Sequence, residues 1–191
     1  MREINLARKT KETDINLYIN LDGTGASEIN TGCGFFDHML TAFAMHAGYG
    51  LTVTCKGDIE VDCHHTVEDI GIVLGQALYE CLGDKSNLVR YGSFFVPMDE
   101  ALGFCAVDIC NRAYTVFEAN FPQERCGDFD ACMCVEFFRA VADNAKITVH
   151  LRAPYGDNSH HIAEAIFKAF GHAMSIATEK TDKTLSTKGT L

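Results

Sequence analysis

The sequence predicts an α+β fold built from a duplicated half-domain, with mixed or antiparallel sheets that carry helices packed on one side. Apolar and polar residues alternate over 14–21, which is typical of a half-buried strand. Apolar residues then recur at helical spacing after residue 35. Each half of the 191-residue chain also contains a helix, a strand with a central Thr-Val pair, a loop and a helix that begins with His-His. A chance similarity between two weakly related halves is the alternative.

The first half is expected to extend from residue 1 to about residue 90. Its alternating strand covers 14–21, and Asp22-Gly23-Thr24-Gly25 predicts a tight turn into a second strand. A helix over 35–46, a strand over 51–55 and a longer helix from about 65 to 82 follow.

The second half is expected over about 91–180, with a polar tail over 181–191, so that the whole chain forms a single domain of two similar halves. The pattern predicts three strands before its first helix and one strand between its two helices. The predicted strands cover 93–97, 102–110, 113–118 and 146–152, and the predicted helices cover 130–143 and 159–179.

Composition narrows the class of protein. Sixteen basic and twenty-six acidic residues give a net charge of −10, which argues against nucleic acid as the main partner. A signal peptide and an apolar run long enough to span a bilayer are both missing from the sequence, so a cytoplasmic location without membrane association is expected. The nine cysteines are interpreted as reduced, small core residues, with a soft-metal site at Cys132 and Cys134 as the remote alternative.

A His-His-x-x-Glu motif occurs twice, once in each half. Its copies are His64-His65-Thr66-Val67-Glu68 and His160-His161-Ile162-Ala163-Glu164. On a helix, the first histidine and the glutamate lie four residues apart on one face and can bind one ion. The second histidine points about 100° away. The motif therefore serves two metals, or it bridges between subunits; a single copy would be better explained as a solvated helix start.

Two further residues occupy matching places in the two halves. His38 precedes the first His-His pair by 26 residues, and Glu136 precedes the second by 24. With them, the chain offers eight nitrogen and oxygen donors, enough for two four-ligand shells with positions left for substrate or water. Such donors favour Mn, Fe, Co, Ni or Zn. His46, at a predicted helix end, is as well explained by a C-terminal cap.

Cations that could hold a phosphate are spread along the chain. Lys168 shares a helix face with Glu164, although an ordinary Glu–Lys pair explains this spacing equally well. Asp99-Glu100 is either an acid/base pair, a pair that hydrogen-bonds to metal ligands without contacting the metal, or simply a turn. The candidate phosphate-binding residues are Arg90, Arg112, Lys168, Ser186 and Lys188.

Six segments spread over nearly the whole chain form a characteristic series. They are Leu21-Asp-Gly-Thr-Gly, Phe36-Asp-His-Met-Leu, Asp62-Cys-His-His-Thr-Val-Glu-Asp, Pro97-Met-Asp-Glu-Ala-Leu, Gly156-Asp-Asn-Ser-His-His-Ile-Ala-Glu-Ala-Ile-Phe-Lys-Ala-Phe and Ser186-Thr-Lys-Gly. In these segments and in their order, the chain closely resembles the imidazoleglycerol-phosphate dehydratase family of histidine biosynthesis. The His-His-x-x-Glu pair in this context is highly specific.

The resemblance implies halves like the second domain of ribosomal protein S5 and a site with two Mn²⁺ ions. It also implies ligands from different subunits of a homo-oligomer, twenty-four chains in the usual form, whose sites lie at subunit interfaces. One metal would take His38, His65, His160 and Glu164; the other would take His64, Glu68, Glu136 and His161. Many members carry His in place of Glu136, and a carboxylate can replace imidazole on a hard ion such as Mn²⁺.

The implied reaction converts D-erythro-imidazole glycerol phosphate to imidazole acetol phosphate through a metal-bound imidazolate. Glu12 is expected to contact the substrate hydroxyls as an acid/base, with Glu164 close to the reacting carbons. His46 and Asp99 are expected to assist proton movement. A metal-storage or metal-sensing protein is a competing interpretation, but it leaves the cations unexplained. A metallohydrolase is another, but the motif lacks the His-Glu-x-x-His order of zinc proteases.

Overall fold

Each half of the chain contributes one four-stranded sheet and two helices in the computed structural model, which describes residues 2–186. In the first half, β1 and β2 form a hairpin and β3 precedes the first helix. The bounds are β1 Glu3–Lys9, β2 Thr13–Asn20, β3 Ser27–Asn30, α1 Gly34–Ala47, β4 Gly50–Gly57 and α2 His64–Leu82.

The second half repeats this order and adds a small two-stranded ribbon before its first helix. The bounds are β5 Tyr91–Met98, β6 Ala101–Asp108, β7 Tyr114–Ala119, β8 Arg125–Cys126, β9 Phe129–Asp130, α3 Met133–Ala145, β10 Thr148–Ala153 and α4 Ser159–Ala177. None of these helices is long and apolar enough to cross a membrane.

The two sheets have the same topology. Their strand orders are β1-β2-β4-β3 and β5-β6-β10-β7, so each half runs ββ-β-α-β-α. In both halves the last strand lies between an antiparallel partner (β2 or β6) and a parallel one (β3 or β7). The predicted α+β fold of duplicated halves with mixed sheets is therefore confirmed.

The four helices lie between the two sheets. Helix α4 packs on β5 and β6, while α2 packs on β1 and β2, and the halves meet through the contacts of α1 with α4 and of α2 with α3. Fully buried phenylalanines fill this central layer. Phe43 stacks on Phe170 at 5.2 Å between ring centroids, and the ring of Phe36 meets that of Phe137 edge to face at 5.3 Å. Because these pairs cross from one half to the other, aromatic burial holds the two halves in one core.

Two local predictions need correction, and one strand was not predicted. The strand that was not predicted is β1, Glu3–Lys9. The turn at residues 22–25 leads into β3, but β3 pairs with β4 in parallel and never meets β2. The helix predicted from residue 130 begins at Met133, because Phe129 is buried and the β8–β9 ribbon occupies the preceding residues.

Candidate metal centre and active site

The clearest candidate metal centre joins α1 to the start of α4. The Nε2 atoms of His38 and His160 lie 3.3 Å and 3.2 Å from the same carboxylate oxygen of Glu164. One ligand atom from each residue lies within 4.8 Å of the others, and residues 2–186 contain no second group of this kind. The two imidazole side chains are 47% and 44% exposed, whereas that of Glu164 is only 8% exposed. The carboxylate of this group is therefore buried in the protein, whereas its two imidazoles are accessible from solvent.

Local structure fixes the start of α4 and with it two of these ligands. The Asn158 side chain caps the helix by accepting a hydrogen bond from the backbone N–H of His160 at 2.9 Å. One helical turn separates His160 from Glu164, so both side chains project from the same face. His38 approaches that face because α1 packs along α4.

Lys168 contacts the outer oxygen of Glu164, and its Nζ donates a hydrogen bond to Oε1 at 2.8 Å. Burial raises the pKa of the Glu164 carboxyl, but the hydrogen bond and charge of Lys168, together with His38, outweigh it and hold the pKa below its usual range. Glu164 is therefore ionised at neutral pH, with Oε2 directed at the two imidazoles. Two imidazole nitrogens and one carboxylate oxygen are a donor set that fits a divalent transition metal.

The corresponding residues of α2 and α3 are arranged less tightly. His64 Nε2 lies 3.6 Å from Oε2 of Glu68, one helical turn away, as the motif predicts. Glu136 lies in the first turn of α3 and forms an ion pair with Arg139 at 3.1 Å, on the same helix. The α2–α3 contact is the counterpart of α1–α4, so Glu136 corresponds to His38. Within the described residues these three ligands do not close into a compact group.

The second histidine of each pair points to a different carboxylate. His65 Nδ1 lies 2.9 Å from Oδ2 of Asp58, and His161 Nδ1 lies 2.8 Å from Oε2 of Glu100. Each hydrogen bond raises the pKa of its histidine, and the bond to His161 lowers the pKa of Glu100 to about 2. The divergence of the two histidines agrees with the 100° rotation between consecutive residues of a helix.

Glu12 and Asp99 occupy matching positions in the two halves. Glu12 lies in the turn of the β1–β2 hairpin, and Asp99 lies in the turn of the β5–β6 hairpin. A carboxylate oxygen of each is 3.9 Å from the Nε2 atom of the second histidine in its half, His65 or His161. Both candidate acid/base residues are therefore next to predicted metal ligands. Asp99-Glu100 forms a turn, and Glu100 is hydrogen-bonded to His161. The roles of the pair in proton transfer and in support of metal ligands stay predictions.

His46 lies two turns beyond His38, near the end of α1. Its Nδ1 is 2.8 Å from the carbonyl oxygen of Ala42, and its ring meets that of His172 on α4 at 4.9 Å between centroids. The ring of Phe94 stacks on His172 at 4.1 Å. In the described residues these contacts do not extend to the His38 group, so a role for His46 in proton movement stays a prediction.

The predicted phosphate-binding cations fall into two places. Arg90 and Arg112 both reach Asp108, at 2.7 Å and 3.7 Å, and Arg90 also donates to the carbonyl oxygen of Leu185 at 2.6 Å. The hydrogen bond from Arg90 to Leu185 places the backbone immediately before Ser186 next to Arg90. Lys168 lies instead at Glu164. Lys188 lies outside the described residues.

Sequence reasoning missed Asp58, which follows β4 and reaches back to α2. A single acidic residue after a strand carries no pattern that would single it out. All nine cysteines are free in the structure; six of them are buried, as expected of small core residues, and Cys132 is exposed. Cys134, its neighbour in the Cys-x-Cys pair, is buried and makes no compact ligand group with it among residues 2–186.

The fold and the site together define a class: an α+β protein of duplicated halves, with a candidate metal centre of two histidines and one glutamate between packed helices. Comparison with known proteins gives the family. Residues 31–174 match the family described as imidazoleglycerol-phosphate dehydratase. The chain is 56% identical to the enzyme of that name from Acetivibrio thermocellus, over 100% of this chain and 99% of the relative. It is 53% identical to the one from Methanosarcina barkeri, with both chains fully covered.

Solved structures agree with this relationship. The crystal structure of the Staphylococcus aureus dehydratase superimposes with a TM-score of 0.85 and 45% identity, covering 94% of this chain and 99% of the other. That of the Pyrococcus furiosus enzyme gives 0.85 and 39%, covering 97% and 100%. The chain belongs to the imidazoleglycerol-phosphate dehydratase family. It is therefore a hydro-lyase that acts on a small-molecule substrate in the dehydration step of histidine biosynthesis.

Proposed function

We propose that this chain dehydrates D-erythro-imidazole glycerol phosphate to imidazole acetol phosphate in the cytoplasm with two Mn²⁺ ions per active site. The observation that carries the proposal is the compact group of His38, His160 and Glu164. Bound divalent ions would act as Lewis acids that lower the pKa of the substrate's imidazole ring and so ease loss of the neighbouring hydroxyl. Nitrogen and carboxylate donors without thiolate suit Mn²⁺.

Each active site is proposed to lie between two copies of the chain. The α1–α4 face offers His38, His160 and Glu164 to one ion, and the α2–α3 face offers His64, Glu68 and Glu136 to the other. Each ion needs a fourth ligand, and the second histidines supply it: His65 from one copy and His161 from the other. The support is geometric, because both second histidines point away from the first histidine of their own pair. A homo-oligomer follows from such sharing, and we propose that it has the twenty-four chains of the usual family form.

The chain's own residues would orient the substrate and move its protons. Lys168 holds Glu164 in its ionised form beside the two imidazoles. Glu12 and Asp99, each 3.9 Å from a ligand nitrogen, are placed to exchange protons with the substrate's hydroxyl-bearing carbons. The phosphate would be held by four cationic side chains and the Ser186 hydroxyl, which would fix the pose of the reacting carbons. This set comprises Arg90, Arg112, Lys168, Ser186 and Lys188.

The first test measures dehydration of imidazole glycerol phosphate by purified protein after treatment with a chelator. Activity should disappear and should return when Mn²⁺ is added back. Folded, assembled protein that stays inactive with every divalent metal would contradict the proposed function. Full turnover by a Glu12→Gln variant would remove Glu12 from the acid/base roles while leaving the metal sites unaffected.

The second test asks whether the site is shared between chains. A His160→Ala variant loses the α1–α4 face, and a His64→Ala variant loses the α2–α3 face. Each alone should be inactive. When the two are co-expressed, about one quarter of the sites should combine two intact faces, since random assembly supplies each face with a probability of about one half. Zero recovery in mixed assemblies verified by native mass spectrometry would contradict shared sites.

A further inference from the structure

The second histidines of the two His-His pairs share a feature that the first histidines lack. Each places Nδ1 on a carboxylate from outside its own helix: Asp58 follows β4 and contacts His65 at 2.9 Å, and Glu100 lies in the β5–β6 turn and contacts His161 at 2.8 Å. The first histidines, by contrast, direct Nε2 at the glutamate one turn along their own helix. The same arrangement therefore arises twice, from different parts of the two halves.

These contacts determine which ring nitrogen is free. An ionised carboxylate can only accept a hydrogen bond, so Nδ1 of each ring must be the donor. In a neutral imidazole the other nitrogen, Nε2, then carries the lone pair that binds a metal. A histidine anchored in this way has one tautomer and one ring orientation, which lowers the entropy that metal binding must overcome.

Both carboxylates are built into the fold. Oε1 of Glu100 accepts hydrogen bonds from the backbone N–H groups of Asp157 and Asn158, at 3.1 Å and 2.9 Å, immediately before α4. Its Oε2 is thereby held at the helix that carries His161. Asp58 is different, because its Oδ1 is buried and has no hydrogen-bonding partner among the described residues. Burying an unpaired carboxylate oxygen is unfavourable for the fold. The favourable contact that the Asp58 carboxylate makes is therefore the hydrogen bond of its other oxygen, Oδ2, with His65.

We infer that Asp58 and Glu100 are positioning residues that hold His65 and His161 with Nε2 free, so that each histidine supplies the fourth ligand to an ion bound mainly by another copy of the chain. The inference rests on the proposed function. Asp58 acts on the ion bound by the α1–α4 face and Glu100 acts on the ion bound by the α2–α3 face. Neither touches the metal or the substrate.

The test measures Mn²⁺ binding without substrate, by titration with the electron paramagnetic resonance signal of the free ion, on assembled wild type and variants. Asp58→Ala and Glu100→Ala should each weaken one of the two classes of site by about tenfold to a hundredfold and leave the other unchanged. Glu100→Gln keeps an oxygen that can accept from the two backbone N–H groups, so it should retain the thermal stability of the turn while Mn²⁺ binding remains weakened. Glu118→Ala is the control, since the exposed Glu118 of β7 forms an ion pair with the exposed Arg152 of β10.

The outcomes separate this inference from the proposed function. If the wild type shows no saturable Mn²⁺ binding, both fail. If the wild type binds two ions and the variants bind both with unchanged affinity, the inference alone is overturned. A loss of thermal stability in the alanine variants with wild-type Mn²⁺ affinity in the folded fraction would show that these carboxylates serve only the fold, and would also overturn it. Selective weakening of one site class by each variant supports it.

Discussion

Replacing Gly103 by alanine should displace α4 and thereby disturb the metal centre without touching a ligand. Gly103 lies in β6, directly beneath the helix that carries His160 and Glu164. A Cβ atom placed there would be 2.4 Å from the carbonyl carbon of Ala165 and 2.7 Å from the backbone nitrogen of Ile166. Ordinary van der Waals contact begins at 3.4 Å. Because the obstructing atoms are backbone, α4 must move by about 1 Å relative to the sheet.

Two magnitudes follow from this displacement. Overpacking of a well-filled core costs about 1 to 3 kcal/mol, so the free energy of unfolding should fall by that amount. A 1 Å misplacement of reacting groups can cost about 10²-fold in rate, so kcat should fall by up to that factor. Urea denaturation at fixed chain concentration measures the first quantity, and dehydration with saturating Mn²⁺ measures the second.

Gly34→Ala is the matched control, since a Cβ atom there would meet nothing within 4 Å. Gly34 begins α1, one helical turn before His38, so the control also lies near the candidate metal centre. Alanine in a helix should leave stability unchanged or raise it by up to about 1 kcal/mol. A Gly103→Ala variant with wild-type stability and turnover would refute the argument that close packing of β6 against α4 positions the site.

Three further changes test other parts of the structure. Lys85→Met should cost about 1 to 3 kcal/mol in urea denaturation, because Lys85 is buried and its Nζ donates to Asn111 and to the Ala145 carbonyl at the end of α3. Burial lowers the pKa of Lys85 to about 8 from 10.5. Between these two values the unfolded chain binds more protons than the folded chain. The stability of the wild type relative to this variant should therefore rise as pH increases from 8 to 10.5. Tyr49→Phe should cost about 0.5 to 1.5 kcal/mol without changing turnover, since it loses the hydroxyl's bonds at the end of α4. Glu136→Ala should weaken Mn²⁺ binding by calorimetry by about tenfold or more, and Glu136→His should restore it.

Much of the candidate site could be predicted from the sequence because its key relationships are local. A histidine and a glutamate four residues apart share a helix face wherever the helix lies, so the His160–Glu164 contact at 3.2 Å needs no tertiary information. The duplicated order of elements was predictable for the same reason, since periodicity and the paired motif are both read along the chain. The pairing of His38 with α4 was inferred from its family role and is a tertiary contact.

The features of the fold and of the candidate site that were not predicted depend on tertiary contacts, which produce no recognisable sequence pattern. Asp58 reaches His65 only because β4 ends beside the start of α2. The pairing of β3 with β4 is equally hidden, because a turn after β2 favours a hairpin and the parallel alternative depends on α1 crossing back. The β8–β9 ribbon consists of two-residue strands, too short for any periodicity to reveal.

The helical geometry of the His-His pair has a consequence for assembly. Consecutive helical residues diverge by about 100°, so one metal cannot readily take both histidines of a pair. Anchoring of His65 by Asp58 and of His161 by Glu100 fixes this divergence in the folded chain. Under the proposed ligand sets, the α1–α4 face of one copy must therefore meet the α2–α3 face of another. These are different surfaces, so a pair of copies completes both kinds of face only when the two meet reciprocally about a twofold axis; any other contact leaves one face of each kind unpaired until the assembly closes on itself. Every metal site is therefore complete only in a closed assembly, and metal binding stabilises that assembly to the extent that the ions bind only its closed form.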